Sequence, residues 1–261
     1  MLLLKLTLFP LFIAAVTLAG RRWGAGVAGL LGGFPVVAGP IVLFLALEQG
    51  PQFGALAATA AISAIAGLLV FAIAYCWASI RWPWPAALGC ALVAWLLTAT
   101  GLALLPALPQ VALAVAGLAL VLTPRLLPRS LPPSPAKGSL SDLPYRMITG
   151  GLLTLAVTSA AATLGEVWSG LLAVFPIIGL VLAVFTHRAQ GPHQVAHMYR
   201  GMVRGLYSFA AFFLVLALLW PQMAFWPACA LAIAAGVMIQ ALVQWLAWPG
   251  KTPAQGAKAQ G

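Results

Sequence analysis

Two stretches of this chain, GLLGGFPVVAGPIVLFLALEQGPQ (29–52) and GLLAVFPIIGLVLAVFTHRAQGPH (170–193), align without a gap at an offset of 141 residues. Nine of the 24 positions are identical, including Phe34-Pro35 against Phe175-Pro176 and Gln49-Gly50-Pro51 against Gln190-Gly191-Pro192. About two identities would arise by chance from such a composition. The chain is therefore read as an internal duplication. The same offset pairs Lys5 with Arg146 and Pro10 with Gly151, so each unit opens on a cation followed by a helix-loosening residue.

What is duplicated is apolar. Of 261 residues, 63% are hydrophobic and 6% charged, which excludes a soluble globular domain, a disordered chain and a disulfide scaffold. A spanning helix needs about 20 apolar residues, and candidate spans fall at 2–20, 25–47, 53–77, 84–105, 108–124, 144–164, 167–186, 196–220 and 224–247. The first is read as a retained helix and not a signal peptide, because Arg21 and Arg22 follow its apolar stretch instead of preceding it. The expected fold class is an all-α polytopic membrane protein.

Span 108–124 is short, so the count rests on charge. With nine helices the Lys and Arg residues divide 12 to 1 between the two sides, Lys5 standing alone; with eight they divide 10 to 3. The positive-inside rule favours nine, with the N-terminus outside and the C-terminus cytoplasmic in a bacterial inner membrane. A run at 108–124 that did not span would lie at the interface, yet it lacks the charged face that an interfacial helix requires. Tryptophans gather at span ends, except Trp95, which lies well inside one. The organisation expected is a four-helix unit at 1–105, a linking helix and basic Pro/Ser-rich loop at 106–141, a second four-helix unit at 142–248 and a polar tail at 249–261. Because one helix intervenes, the second unit enters from the opposite face. That is an inverted-topology repeat, an arrangement common in secondary transporters.

The second helix of each unit carries proline near its middle: Pro35 and Pro40 in one, Pro176 with Gly179 in the other. Proline frees a backbone carbonyl inside hydrocarbon, and that carbonyl must find a side chain, water or a ligand. Paired interruptions of this kind point to a transporter site; a plain kink is the alternative. In the third helix of the second unit His193, His197, Arg200 and Arg204 follow steps of four, three and four, and so form one polar stripe. Their equivalents, Gln52, Leu56, Thr59 and Ser63, leave the same face largely polar or small. The candidate substrate-binding residues are thus Pro35, Pro40, Thr59, Ser63, Pro176, Gly179, His197, Arg200 and Arg204. Arg200 and Arg204 either line an electropositive vestibule for an anion or snorkel to the cytoplasmic surface.

Catalytic motifs are lacking. His193-Gln-Val-Ala-His197 has a glutamine where a zincin needs its glutamate base, and no phosphate loop, nucleophile elbow or acidic dyad occurs. No catalytic residue, cofactor or metal is expected. Nor is nucleic acid, since the basic residues sit between apolar runs. Cys76, Cys90 and Cys229 read as small buried packing residues, and Gly201 and Gly205 have small-xxx-small spacing suited to close helix packing.

The run LLAVFPIIGLVLAVFTHRAQGPHQVAHMYRGMVRGLYSF resembles the GlpM family of small inner-membrane proteins, in which a helix with a central Phe-Pro leads through a Gly-containing polar loop to a basic-to-aromatic helix. The likeness covers about 50 residues, with a fainter echo at 29–80, so the chain looks like a fused tandem of that unit. The resemblance implies an envelope role connected with exopolysaccharide (alginate) production. Two functions are carried forward: a small secondary transporter or exporter of an anionic or polar solute, and a non-transport accessory protein of an envelope machinery. The partners expected are the lipid bilayer, such a solute, and a second copy or an envelope protein. Topology is directly measurable: reporter fusions after Ala107 and after Lys137 are expected to signal outside and inside respectively, and signals from the same side would refute nine spans.

Overall fold

The computed structural model describes residues 2–129, 142–163 and 175–247, which form ten α-helices and no strand. These are α1 (Leu2–Trp23), α2 (Ala25–Gly32), α3 (Ala38–Gln49), α4 (Pro51–Arg81), α5 (Trp84–Ala103) and α6 (Pro109–Leu126). After the linker come α7 (Asp142–Thr163), α8 (Ile177–Gln190), α9 (Pro192–Leu219) and α10 (Phe225–Leu246). The basic linker 130–141, the first part of span 167–186 and the tail lie outside the described residues. Five of the helices, α4, α5, α6, α9 and α10, are long and apolar enough to cross a membrane. That is the composition of an integral membrane protein.

The segment 25–47, read from sequence as one span, is two helices. The chain leaves α2 at Gly32, turns through Gly33-Phe34-Pro35-Val36-Val37 and restarts at Ala38, where the Gly39 amide donates to the Pro35 carbonyl at 2.7 Å. Consecutive glycines weaken the end of α2, and Pro35 and Pro40 bring no amide hydrogens to carry it on. In the second unit Pro176 stands immediately before α8, and the Leu180 amide donates to its carbonyl at 2.8 Å. Phe-Pro therefore lies outside regular helix in both copies.

Other boundaries recur at the same offset. α3 and α8 end at Gln49 and Gln190; α4 and α9 begin at Pro51 and Pro192; α5 and α10 begin at Trp84 and Phe225. The turns between them are alike: Gly50 has φ 95° and ψ 162°, and Gly191 has φ 87° and ψ 174°. Both lie in a region that side chains disfavour, and each is followed by a proline at the first helical position, where its missing amide costs nothing. Side-chain contacts repeat too, Gly67 facing Trp95 as Ser208 faces Gly236.

α4 and α9 form the centre and run antiparallel. The start of α4 meets the end of α9 where Gly54 packs on Trp220, while near the other end Trp77 of α4 and Arg200 of α9 reach the same stretch of chain after α6. α6 lies alongside both, its N-terminus beside the start of α4 and its C-terminus beside Trp77, so it traverses the bundle. α5 flanks α4, α10 flanks α9, and α1 packs on α7 with Ile13 against Gly150 and Pro10 against Gly151. Phe71 and Tyr75 of α4 and Met198, Tyr199, Met202 and Phe213 of α9 are fully buried along the middle. Outward faces of α5 and α10 expose Val93, Leu97, Val237 and Met238. Cys76 and Cys229 are buried, but Cys90 is exposed on the outer face of α5, contrary to the expectation from sequence; an apolar run does not tell a lipid-facing position from a core one.

The tightest packing is between α2 and α9. A Cβ on Gly29 would collide with the carbonyl of Met198, one on Gly201 with the carbonyl of Gly26, and one on Gly205 with the carbonyl of Leu30. The two backbones touch, as the spacing of Gly201 and Gly205 suggested. Gly29→Ala or Gly201→Ala is expected to cost about 1–3 kcal/mol by forcing these backbones apart. Gly89→Ala, on α5 with nothing within 4 Å, should be neutral or slightly stabilising. Thermal unfolding of purified, detergent-solubilised variants measures both.

Candidate functional site

The polar stripe of α9 is present as a helical face, but its four members have different partners. Arg200 is committed to the end of α6. Its guanidinium donates to the carbonyls of Pro124 (2.9 Å), Leu127 (3.0 Å) and Pro128 (3.1 Å). The local sequence explains why. The amide that would cap the Pro124 carbonyl belongs to residue 128, a proline without a donor, so an external donor is required. A cation is also favoured at a helix C-terminus. Trp77 caps the Leu126 carbonyl through its indole N–H at 2.8 Å, and His193 Nδ1 lies 3.4 Å from the Arg129 carbonyl. α4 and α9 together close the end of α6.

His197 turns to α2, its ring lying over Gly26, where an added Cβ would stand 2.7 Å from Nε2. Arg204 is half-buried one turn beyond Arg200 and, among the described residues, forms neither a hydrogen bond nor an ion pair. Of the stripe it is the cation left available. The histidines do not assemble: His193 and His197 are placed as above, and His187 Nδ1 lies 3.3 Å from the Tyr75 hydroxyl. No group of three His, Cys, Asp or Glu side chains among the described residues could hold a metal ion.

The remaining sequence candidates are scattered. Pro35 lies in the α2–α3 break and Pro40 in the first turn of α3, and Pro176 is buried immediately before α8. The Gly179 carbonyl is taken by the Tyr199 hydroxyl at 3.0 Å, so it is not a vacant ligand. Thr59 donates to its own helix at Ala55 (2.9 Å) and lines, with Gln52, Pro109 and Pro221, a groove at the opposite end of α4 from Arg200. Ser63 is half-buried one turn further along α4. Thr59 lines that groove, whereas Pro35, Pro40, Ser63, Pro176 and Gly179 do not.

A polar cluster that the sequence did not single out lies where α1, α7 and α8 meet. Thr17, Arg21, Arg146, Thr186 and Gln190 line a cavity of about 20 Å³, with Arg146 only 6% exposed. Its signal was the spacing Arg146, Gly150, Thr154, one buried face of α7 in steps of four, hidden because Arg146 was counted only toward the charge split and the repeat. Comparison with protein-family models, with curated proteins and with solved structures finds no match for this chain.

The clamp on α6 makes a graded expectation. Arg200→Ala should destabilise by about 2–3 kcal/mol, since bonds to a charged donor contribute about 1.5–3 kcal/mol and are not additive. Arg200→Lys should recover part of the loss, because one ammonium cannot span the same three carbonyls. Arg125→Ala, which loses a single exposed bond to the Val121 carbonyl, should lie within about 0.5 kcal/mol of the parent in the same melts.

Proposed function

We propose that the chain is a bacterial inner-membrane protein of nine transmembrane segments, built from two four-helix units of opposite orientation joined by α6, and that it carries a small anionic or polar solute. The N-terminus is outside and the C-terminus cytoplasmic in this reading. One observation carries it: helices that correspond at the 141-residue offset, α4 and α9, run antiparallel, and each is preceded by a shorter helix that starts after a Phe-Pro pair lying outside regular helix. Repeats of opposite sense with paired interruptions are the framework on which alternating access is built. The traverse of α6 past both central helices supports its counting as a span. The gathering of basic residues at one end supports the orientation, for Arg21 and Arg146 share a cavity there and Arg188 lies 5.9 Å over the ring of Trp84, beside Arg81.

Arg204 is the residue assigned to the solute, as a half-buried cation without a partner on a polar face. The tight interior beside the break is what an occluded carrier presents between its two open states. It also favours the second reading, an accessory role of GlpM type in envelope or exopolysaccharide assembly, for which a filled interior is the expected state.

Flux separates the two. Proteoliposomes of the purified protein, probed with chloride, nitrate, phosphate and acetate gradients on a solid-supported membrane, should give protein-dependent currents or exchange for at least one anion. Arg204→Ala should lower that flux about tenfold or more with yield and melting unchanged, and Arg204→Lys should restore it only in part, because an ammonium does not reproduce the directed donors of a guanidinium. Absence of flux for every solute, or full flux in Arg204→Ala, would favour the accessory role.

A further inference from the structure

The duplication supplies its own control for one surface feature. At the turn between α4 and α5 the chain reads Arg81-Trp82-Pro83-Trp84, and at the corresponding turn between α9 and α10 it reads Gln222-Met223-Ala224-Phe225. Arg188 stands in the last turn of α8, and its counterpart in α3 is Leu47. The helix starts agree at the 141-residue offset, so the framework is shared while the cations belong to one copy. The second copy builds the same turn without them, and packing therefore does not require them.

These residues converge in space. α5 and α8 are antiparallel neighbours: midway along α5 Trp95 stands edge-on to Phe175 at 5.0 Å, and at its start the Arg188 guanidinium lies 5.9 Å over the ring of Trp84. That contact engages the face of the guanidinium and leaves its N–H edge to donate elsewhere. Arg81, the last residue of α4, adjoins the same turn, and Arg81, Trp82, Trp84 and Arg188 are all exposed. The chain cannot neutralise this surface from its own acids, of which it has three against 13 Lys and Arg. Glu48 lies beyond the far end of α4, about 46 Å away by helix length, and Asp142 sits near Arg146. Glu166 lies outside the described residues, and one more acid would not balance Arg22, Arg81, Arg125, Arg129 and Arg188, all exposed at this end.

What lies next to the cations chooses the anion. Along α5 from this turn an apolar face points outward, with Cys90, Val93 and Leu97 exposed. Indoles between a cationic and an apolar surface are characteristic of the headgroup level of a bilayer. Cation, interfacial ring and apolar strip follow in the order that suits a molecule with a phosphate head and hydrocarbon tails; a free phosphate or an acidic peptide would leave the strip unused. We propose that Arg81 and Arg188, with Trp82 and Trp84, bind the phosphodiester headgroup of an anionic phospholipid whose acyl chains lie on the outer face of α5. Guanidiniums donate paired hydrogen bonds to phosphate oxygens, and basic clusters at the membrane surface between helices suit such headgroups. The site needs only that α4 and α5 cross a bilayer, and it stands independently of what the chain carries and of which side the basic end faces.

Cys90 allows a local test, because it is exposed while Cys76 and Cys229 are buried, and it lies about 9 Å along α5 from Trp84. The purified protein is labelled there with a fluorophore and reconstituted in phosphatidylcholine containing either dibrominated phosphatidylglycerol or dibrominated phosphatidylcholine, and quenching gives the relative affinity of the two headgroups. Phosphatidylglycerol should be preferred about fivefold or more. Leu231, the equivalent of Cys90 at the offset and likewise exposed, should show no preference when labelled as Leu231→Cys in a Cys90→Ala background. Arg81→Gln with Arg188→Gln should abolish the preference at Cys90, while Arg125→Gln, another exposed arginine of the same end, should keep it. Equal quenching by both lipids at Cys90, or a preference that survives the double substitution, would overturn the proposal. So would the same preference at Leu231→Cys, which would report a general attraction of a basic protein for anionic lipid; this comparison keeps both arginines and decides the matter even if the double variant does not insert. Relief of quenching by millimolar glycerol phosphate would overturn it in favour of a soluble phosphate ligand.

Discussion

Contact between the backbones of α2 and α9 is the constraint on which the rest of the bundle depends. Inside a bilayer there is no hydrophobic force to draw helices together, since lipid tails are as apolar as leucine, and association rests on close packing and hydrogen bonds. Gly26 and Gly29 on α2, Gly33 just past its end, and Gly201 and Gly205 on α9 remove the side chains that would hold the helices apart. With α2 seated there, the chain must turn at Gly33–Val37 to bring α3 back along α4. His197 is trapped over Gly26 by the same approach, and the rest of its stripe is directed elsewhere.

α6 is held by a different device. Among the described residues it has no counterpart in the second unit, and it ends in a proline-rich sequence in which the Pro124 carbonyl faces a proline, residue 128, that has no amide donor. The cost of leaving those groups unsatisfied near hydrocarbon is met by side chains of the two central helices, Trp77 from α4 and Arg200 with His193 from α9. A deeply set arginine therefore need not mark a ligand. Here the two arginines of one stripe divide, Arg200 given to architecture and Arg204 without a hydrogen bond or ion pair among the described residues.

Much of this was legible in the sequence because it was written in periods and composition. The 141-residue offset anticipates that the turn at Gln49-Gly50-Pro51 recurs at Gln190-Gly191-Pro192, and the glycine pair of α9 anticipates a close neighbour. Which neighbour is not a local property: Gly26, Gly29 and Gly33 look the same whether they face α9 or lipid. The break of span 25–47 was half visible, since Pro35 and Pro40 were read as an interruption, with a plain kink as the alternative, inside what was still counted as a single span. Partners at long range were not readable at all. Nothing at position 200 announces the carbonyls of residues 124–128, and the meeting of Arg21 with Arg146 needs the antiparallel packing of α1 on α7, which no window of sequence contains. Cys90 fails for the same reason, as the outer face of α5 is apolar on all sides.

The lengths of the three helices that run side by side also differ. α4 has 31 residues and α9 has 28, against 18 for α6, which at 1.5 Å per residue is about 46, 42 and 27 Å. The hydrocarbon layer of an average bilayer is about 30 Å thick. α6 falls a little short of it and is pinned at its C-terminal end, so it cannot lengthen its reach by sliding. Where such a helix crosses a bilayer, local thinning or flanking residues that reach the interface accommodate it, while longer helices tilt or project their ends into the headgroups. A protein shaped in this way has a preferred membrane thickness, and shorter acyl chains match its α6 side best.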